Sequence, residues 1–139
     1  MYVKKESVTK RMKANLVVEV QNLLDEYVEE VAKATLESAK ESAELTAKTL
    51  KNTSPKRKGR GGGKYANGWK VKKQALGVNT SYVVYNGKYP GLTHLLEHGH
   101  VSANQYGTFG RARAIPHIGR AADAGIQRFE LGIRARLRK

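Results

Sequence analysis

TKRMKANLVVEVQNLLDEYVEEVAKATLESAKESAELTAKTLK, residues 9–51, contains neither glycine nor proline. Within it Val17, Val20, Leu24, Tyr27, Val31 and Ala34 recur at helical spacing. Leu16, Leu23, Val28, Leu36, Ala39, Ala43, Leu45 and Leu50 widen the stripe. The stretch predicts one long helix, or two in line. The alternative is a break near Ser38 to Ser42 that folds the two halves into a hairpin. Asn52-Thr53-Ser54-Pro55 ends the helix, because the residue before a proline is driven out of the helical region and Asn, Thr and Ser favour turns. Forty helical residues reach roughly 60 Å, about twice the width of a small domain. The remainder of the chain is too short to bury such a rod, so its far end is expected to pack on another subunit or another protein.

Outward from the helix, 139 residues with 40% hydrophobic and 27% charged side chains leave room for one globular domain, and exclude a two-domain enzyme or a wholly disordered chain. No cysteine is present, which excludes disulfide scaffolds and thiolate metal sites. The longest uncharged run, Gln74 to Gly87, is well short of the ~20 apolar residues of a membrane helix. Met1-Tyr2-Val3-Lys4-Lys5-Glu6 has no apolar run behind its lysines, and no signal peptide is expected. The formal net charge of +14 is unevenly placed: up to Ser54 there are 9 basic and 9 acidic residues, and from Pro55 onward 17 and 3. All 14 glycines follow Lys58. Pro55 to Lys64, PKRKGRGGGK, reads as a basic low-complexity loop, expected to be mobile until bound because glycine entropy and like-charge repulsion both oppose order.

Beyond the loop, Trp69-Lys70-Val71-Lys72 alternates apolar and basic residues and Ser81-Tyr82-Val83-Val84-Tyr85 is β-branched and aromatic, so both read as antiparallel strands. Leu76-Gly77-Val78-Asn79 reads as a further strand or a connecting turn, and Asn86-Gly87 as a turn. Pro90 to Gly99 reads as one or two helical turns closed by a glycine, and residues 101–114 as loop. A helix follows Pro116, from about Ile118 towards Arg138, with Ile126, Phe129, Ile133 and Leu137 on one face. The predicted class is α+β: a long N-terminal helix, a small antiparallel sheet and a shorter C-terminal helix in a single domain. Its parts are 9–51 helix, 55–64 loop, and 68–139 sheet plus closing helix.

The chemistry-bearing patterns are few. His94-Leu95-Leu96-Glu97-His98 fits H-x-x-E-H, in which two histidines on one helix face bind zinc and the glutamate is general base. Only Asp123 and Glu130 remain downstream as a further carboxylate ligand, and the helix is very short, so the expected role is structural and the expected metal is none. His94, His98, His100 and His117 suffice in number for a transition metal, but spacing alone does not make them converge. No carboxylate lies between Leu45 and Leu96, which removes paired-acid catalysis from that region. Gly59 to Lys64 lacks the order of a Walker loop. The loop cations and the tail Arg134, Arg136, Arg138 and Lys139 suit phosphate contact, without a helix-turn-helix, zinc finger or stacking motif to read sequence. A nonspecific nucleic-acid-binding module is therefore the alternative function.

Tyr89-Pro90-Gly91-Leu92-Thr93-His94-Leu95-Leu96-Glu97-His98-Gly99-His100, followed by Ala114-Ile115-Pro116-His117-Ile118 and Arg120-Ala121-Ala122-Asp123, resembles a family of small tailed-bacteriophage virion proteins. These are the minor tail or head-to-tail neck proteins of long-tailed phages and prophages, the tail completion or tail terminator components. Residues 92–100 are the specific part of the likeness. The resemblance implies a structural role without catalysis or cofactor. Copies would form a ring, of six or twelve, joining the portal or connector to the tail tube. Partners would be neighbouring head-completion, connector, tail-tube or terminator proteins, with nonspecific contact to packaged DNA and none to membrane. The location implied is the virion neck or tail, assembled in the host bacterial cytoplasm. In this reading Leu92, Leu95, Leu96, Ile115 and Ile118 form core. His94, Glu97, His98, His100 and His117, beside Pro116, fix the turn by hydrogen bonds. Lys56, Arg57, Lys58, Arg60 and Lys64 contact partner or DNA.

Overall fold

The computed structural model describes the backbone of residues 5–76 and 79–138, and within them the side chains of all but residues 5–14, 76, 79 and 104. The absence of breakers in the first third has its direct consequence: α1 is one α-helix, Lys5–Thr53, unbroken through Ser38 and Ser42. The hairpin alternative is thereby excluded. Helix propensity is uninterrupted there, and both serines turn their small side chains into a packed face where they are 1% and 8% exposed. Ser54 N–H donates to Leu50 O at 2.9 Å as the helix ends, and Pro55 stops its continuation.

A 3-10 turn, Ala66–Gly68, leads into β1 (Trp69–Leu76), which pairs antiparallel with β2 (Asn79–Asn86) from Trp69 opposite Asn86 to Leu76 opposite Asn79. Both strands run further than their alternating cores predict. Gly77 and Val78, at the centre of the expected strand or turn, lie outside the described residues. Helix α2 (Pro90–His98) follows, with proline in its first turn and Gly99 after it at φ 75°, the left-handed conformation that suits glycine.

Residues 101–114, expected as loop, contain a second hairpin: β3 (His100–Asn104) pairs with β4 (Gly107–Ala112). Its strands escape detection in the sequence because β4 is exposed along nearly its whole length and carries no inside–outside alternation. The antiparallel pairing is as expected, but the strands form two separate two-stranded sheets rather than one.

The closing helix α3 (Ile118–Leu137) packs antiparallel along the second half of α1: Ser42 lies at Gly125 and Ser38 at Gly132. Its buried residues are Ala121, Gly125 and Gly132; of the apolar face read from sequence, Phe129, Ile133 and Leu137 are half-buried and Ile126 is 57% exposed. The reason is distance. A Cβ at Gly125 would fall 2.2 Å from Thr46 Oγ1, and one at Gly132 3.0 Å from Ser38 Oγ, so the helices approach too closely for large side chains. The α1 side of this seam is equally small, with Ala34, Ser38, Ser42, Ala43 and Ala47 buried. Arg136 clasps its end, Nη1 donating to Ser38 Oγ at 2.9 Å, Nε to Glu37 at 3.2 Å and Nη2 to Glu41.

The apolar core sits where the end of α1, the start of β1 and the start of α3 meet. Leu50, Tyr65, Trp69 and Ala121 form it, with Val84, Leu96 and Ile118 packed against them. Leu96 and Ile118 are thus core residues as expected. Leu92, Leu95 and Ile115 are not: they are 39%, 36% and 45% exposed. A nine-residue helix offers one side to so small a core, and Leu96 takes it.

Candidate functional site

Three features collect the residues singled out by sequence: a polar knot under the core, a basic loop over a cavity, and the free half of α1.

The knot is built on Glu97. Its carboxylate lies at the start of α3, where the backbone N–H groups have no helical partners. Oε2 accepts from His117 N (2.8 Å) and Ile118 N (2.9 Å), and Oε1 from Gly119 N (3.0 Å). The carboxylate of one helix thereby caps another, 20 residues on. Burial alone would raise its pKa; the three backbone donors and His117 outweigh that and hold it at about 2. Three of the carboxylate's acceptor positions are thus committed to the α3 backbone, a structural use of the motif's glutamate.

His117 is the second member, 3% exposed. Its Nδ1 lies 2.7 Å from Ile115 O and its Nε2 2.9 Å from the Tyr65 hydroxyl. These partners assign the tautomer: Nδ1–H donates to the carbonyl and Nε2 accepts from Tyr65. Glu97 Oε2 is also 3.3 Å from Nδ1. Burial, and then the charge of Glu97, push the Tyr65 phenol up to about 12, which keeps it a donor. Tyr65, Trp69 and His117 meet edge to face, with centroids 5.7 to 6.4 Å apart. Trp69 Nε1 donates to Ser54 Oγ at 2.8 Å.

Asn86, read from sequence only as a turn residue, is 2% exposed. Its Nδ2 donates to Tyr65 O, and its Oδ1 accepts from Lys88 N and Tyr89 N. Tyr65, Trp69, Ser54 and Asn86 were missing from the sequence-derived site. The one available signal was aromatic and amide residues beside turn residues, which is too common to single them out.

Of the other histidines, the His94 and His98 rings lie one turn apart, centroids 4.8 Å and planes tilted by 55°. His100 Nδ1 is buried without a hydrogen-bond partner among the described residues. Among the described residues no group of three or more His, Asp or Glu is placed to hold a metal ion. Of the five residues expected to tie the turn, Glu97 and His117 do so.

Gly59, Gly61 and Gly63 adopt positive φ in the basic loop, and Gly62 N–H donates to Gly59 O, so the chain coils tightly before Tyr65. Lys56, Arg57, Lys58, Arg60 and Lys64 are all exposed, and no ion pair is recorded for any of them among the described residues. The tertiary structure brings this loop to the start of α2. Arg57, Arg60, Lys64, Tyr65, Tyr89 and Leu92 line one cavity of about 320 Å³.

The third feature is the half of α1 that precedes Ala34. Residues 15–29 are exposed without exception. Leu16, Val17, Val18, Val20, Leu23, Leu24, Tyr27 and Val28 are 47% to 67% exposed. No helix among the described residues is long and apolar enough to cross a membrane.

No curated protein and no solved structure matches the chain significantly. A family model described as "Bacteriophage HK97-gp10, putative tail-component" matches residues 6–99, from the first turns of α1 through the basic loop and first hairpin to the glycine that closes α2. That span is well over half of the chain and includes Glu97, while His117 and α3, on which Glu97 acts, lie beyond it. The chain belongs to this family of HK97-gp10-like phage tail components.

Proposed function

We propose that the protein is a structural component of the virion at the head-to-tail junction. Copies close into a ring that joins the portal or connector to the tail tube. The observation that carries this reading is the exposed stripe of α1. Eight large apolar side chains on one continuous helix form a patch of the kind that marks an interaction surface in a soluble protein. A ring supplies neighbours for it, since a head-to-tail contact repeated around an axis closes when the rotation per subunit allows. The copy number expected is six or twelve. The knot of Glu97, His117 and Tyr65 serves to hold α2 and α3 at a fixed angle, so that each copy presents the same shape to the next. Membership in a tail-component family supports this reading.

The test is co-expression with the proteins of the adjoining neck and tail layers, followed by light scattering and negative-stain imaging. Closed rings in which the stripe is protected from exchange are the expected result. A protein that stays monomeric in the presence of those neighbours would exclude it.

The exposed loop cations favour a second contact, to DNA in the ring lumen or to an acidic face of an adjoining protein. Replacing Lys56, Arg57, Lys58, Arg60 and Lys64 by Gln separates the two. Loss of salt-dependent DNA binding by the isolated protein identifies a nucleic-acid contact. Loss of particle assembly with unchanged DNA affinity identifies a protein contact.

A further inference from the structure

The free half of α1 has an order of charges that selects its own partner. From the start of the helix to Lys13 the sequence carries Lys5, Lys10, Arg11 and Lys13 against the single acid Glu6. From Glu19 to Glu30 it carries Glu19, Asp25, Glu26, Glu29 and Glu30 and no base. The apolar residues lie between and among them. Two such helices laid parallel and in register would set base against base and acid against acid. Laid antiparallel, the basic segment of each runs along the acidic segment of the other.

The apolar spacing is compatible with the same reversal. With the two chains centred between Val17 and Val18, Val8 falls opposite Tyr27 and Met12 opposite Leu23, so these apolar positions of the sequence meet. Residues 15–29 are all exposed, a length of roughly 22 Å, and burial along α1 becomes complete only at Ala34.

We infer that the occupant of the exposed α1 stripe in the free protein is the same segment of a second copy, paired antiparallel about a two-fold axis near Val17. Such a contact is isologous and stops at two. A ring needs a contact that repeats in one direction, so the pair must open as copies enter the ring. Pairing then shields the stripe from water before assembly. This last role rests on the assembly reading above; the pairing itself does not.

The chain has no cysteine, so an introduced thiol reports its own neighbourhood. In the antiparallel pair, Val17→Cys places two thiols beside the axis and yields a covalent dimer on mild oxidation. Leu24→Cys does not, because its counterpart in the other copy lies about thirteen residues away, roughly 20 Å along the helix and beyond disulfide reach. Sedimentation equilibrium gives the second readout. The D25K/E26K/E29K variant weakens the dimer about tenfold or more, and adding K10E/R11E/K13E restores it. Far-UV circular dichroism checks that each variant keeps its helix.

Cross-linking through both cysteine positions would mean parallel pairing and would overturn the inference. So would failure of the double charge swap to restore the dimer, or a free protein that remains monomeric up to about 1 mM. A monomeric free protein that still enters rings with its neighbours sinks the pairing and leaves the assembly role intact. A paired protein that enters no ring upholds the pairing and sinks the role.

Discussion

The two halves of α1 are one helix and two different surfaces. From Ala34 onward its buried positions are Ala, Ser and a single Leu, and they meet Ala121, Gly125 and Gly132 of α3 at a distance that excludes larger side chains. Before Ala34 the exposed large apolar residues are Leu, Val and Tyr, and among the described residues none covers them. A helix that is to be buried by its own chain can use small residues, because covalent connection keeps the partner near and close approach supplies the contact. A helix that must capture a partner from solution needs large apolar area on each residue. The difference in side-chain size along α1 therefore separates the half that its own chain covers from the half that it leaves exposed.

Substitutions at leucines of the two halves should break that comparison if it is wrong. Leu50 is 2% exposed in the core, and Leu50→Ala is expected to cost about 3 kcal/mol or more in chemical denaturation, as cavity-forming leucine truncations do. Next in size is Gly125→Leu, which forces a side chain into Thr46. A loss of about 2–3 kcal/mol is expected, with separation of α1 from α3 seen as increased amide exchange along both. If this variant were as stable as the parent, the close approach of the helices would not be what selects small residues.

Glu97→Gln sharpens the comparison by loosening the body without touching the seam. Losing the charge on three backbone donors should cost about 1–2 kcal/mol at neutral pH. The pH dependence has a definite sign. The Glu97 carboxyl is held at about 2 in the folded chain, below its ordinary value of 4.5, so the unfolded chain takes up the proton first. Its contribution is complete above about pH 4.5 and fades as pH falls towards 2. Thermal unfolding across that interval should show the parent losing stability relative to the Gln variant, and parallel curves would refute the capping role.

The smallest effect belongs to the arm. Leu24→Ala, at a residue 53% exposed, should change the unfolding free energy of the protein at concentrations where it is monomeric by less than about 0.5 kcal/mol. The same change should still lower self-association measured by sedimentation. A large loss of stability at Leu24 would mean that the arm is already covered by its own chain.

Much of this architecture is legible in the sequence, and the legible parts share a cause. The length of α1, its end at Pro55, the strands around Val71 and Val84 and the glycine closing α2 are set by local backbone preferences that residues carry with them. The hairpin of β3 and β4 was hidden because exposed strands need no alternation. The small-residue seam of α3 was missed for a related reason. Periodicity marks large apolar residues, whereas this interface is made of glycine, alanine and serine, which carry little hydropathy signal. At the candidate site, Glu97 and His117 stood out by motif, but nothing local distinguished Glu97 from a zinc-site base. Only the arrival of the α3 N-terminus beside it gives the carboxylate three backbone donors to cap.

By itself, then, the sequence determined a long uninterrupted helix with an apolar stripe, a block of cations after Pro55, and the order of charges along the first thirty residues. Each follows from composition and short-range spacing. Tertiary structure alone decided which half of that helix is covered, that Leu96 rather than Leu92 or Leu95 is core, that the loop cations line a cavity with Tyr89 and Leu92, and that Glu97 caps a helix twenty residues away. Those outcomes depend on distances between segments remote in the chain. Such distances are set by how closely surfaces can pack, a property of pairs of elements that no single stretch of sequence contains.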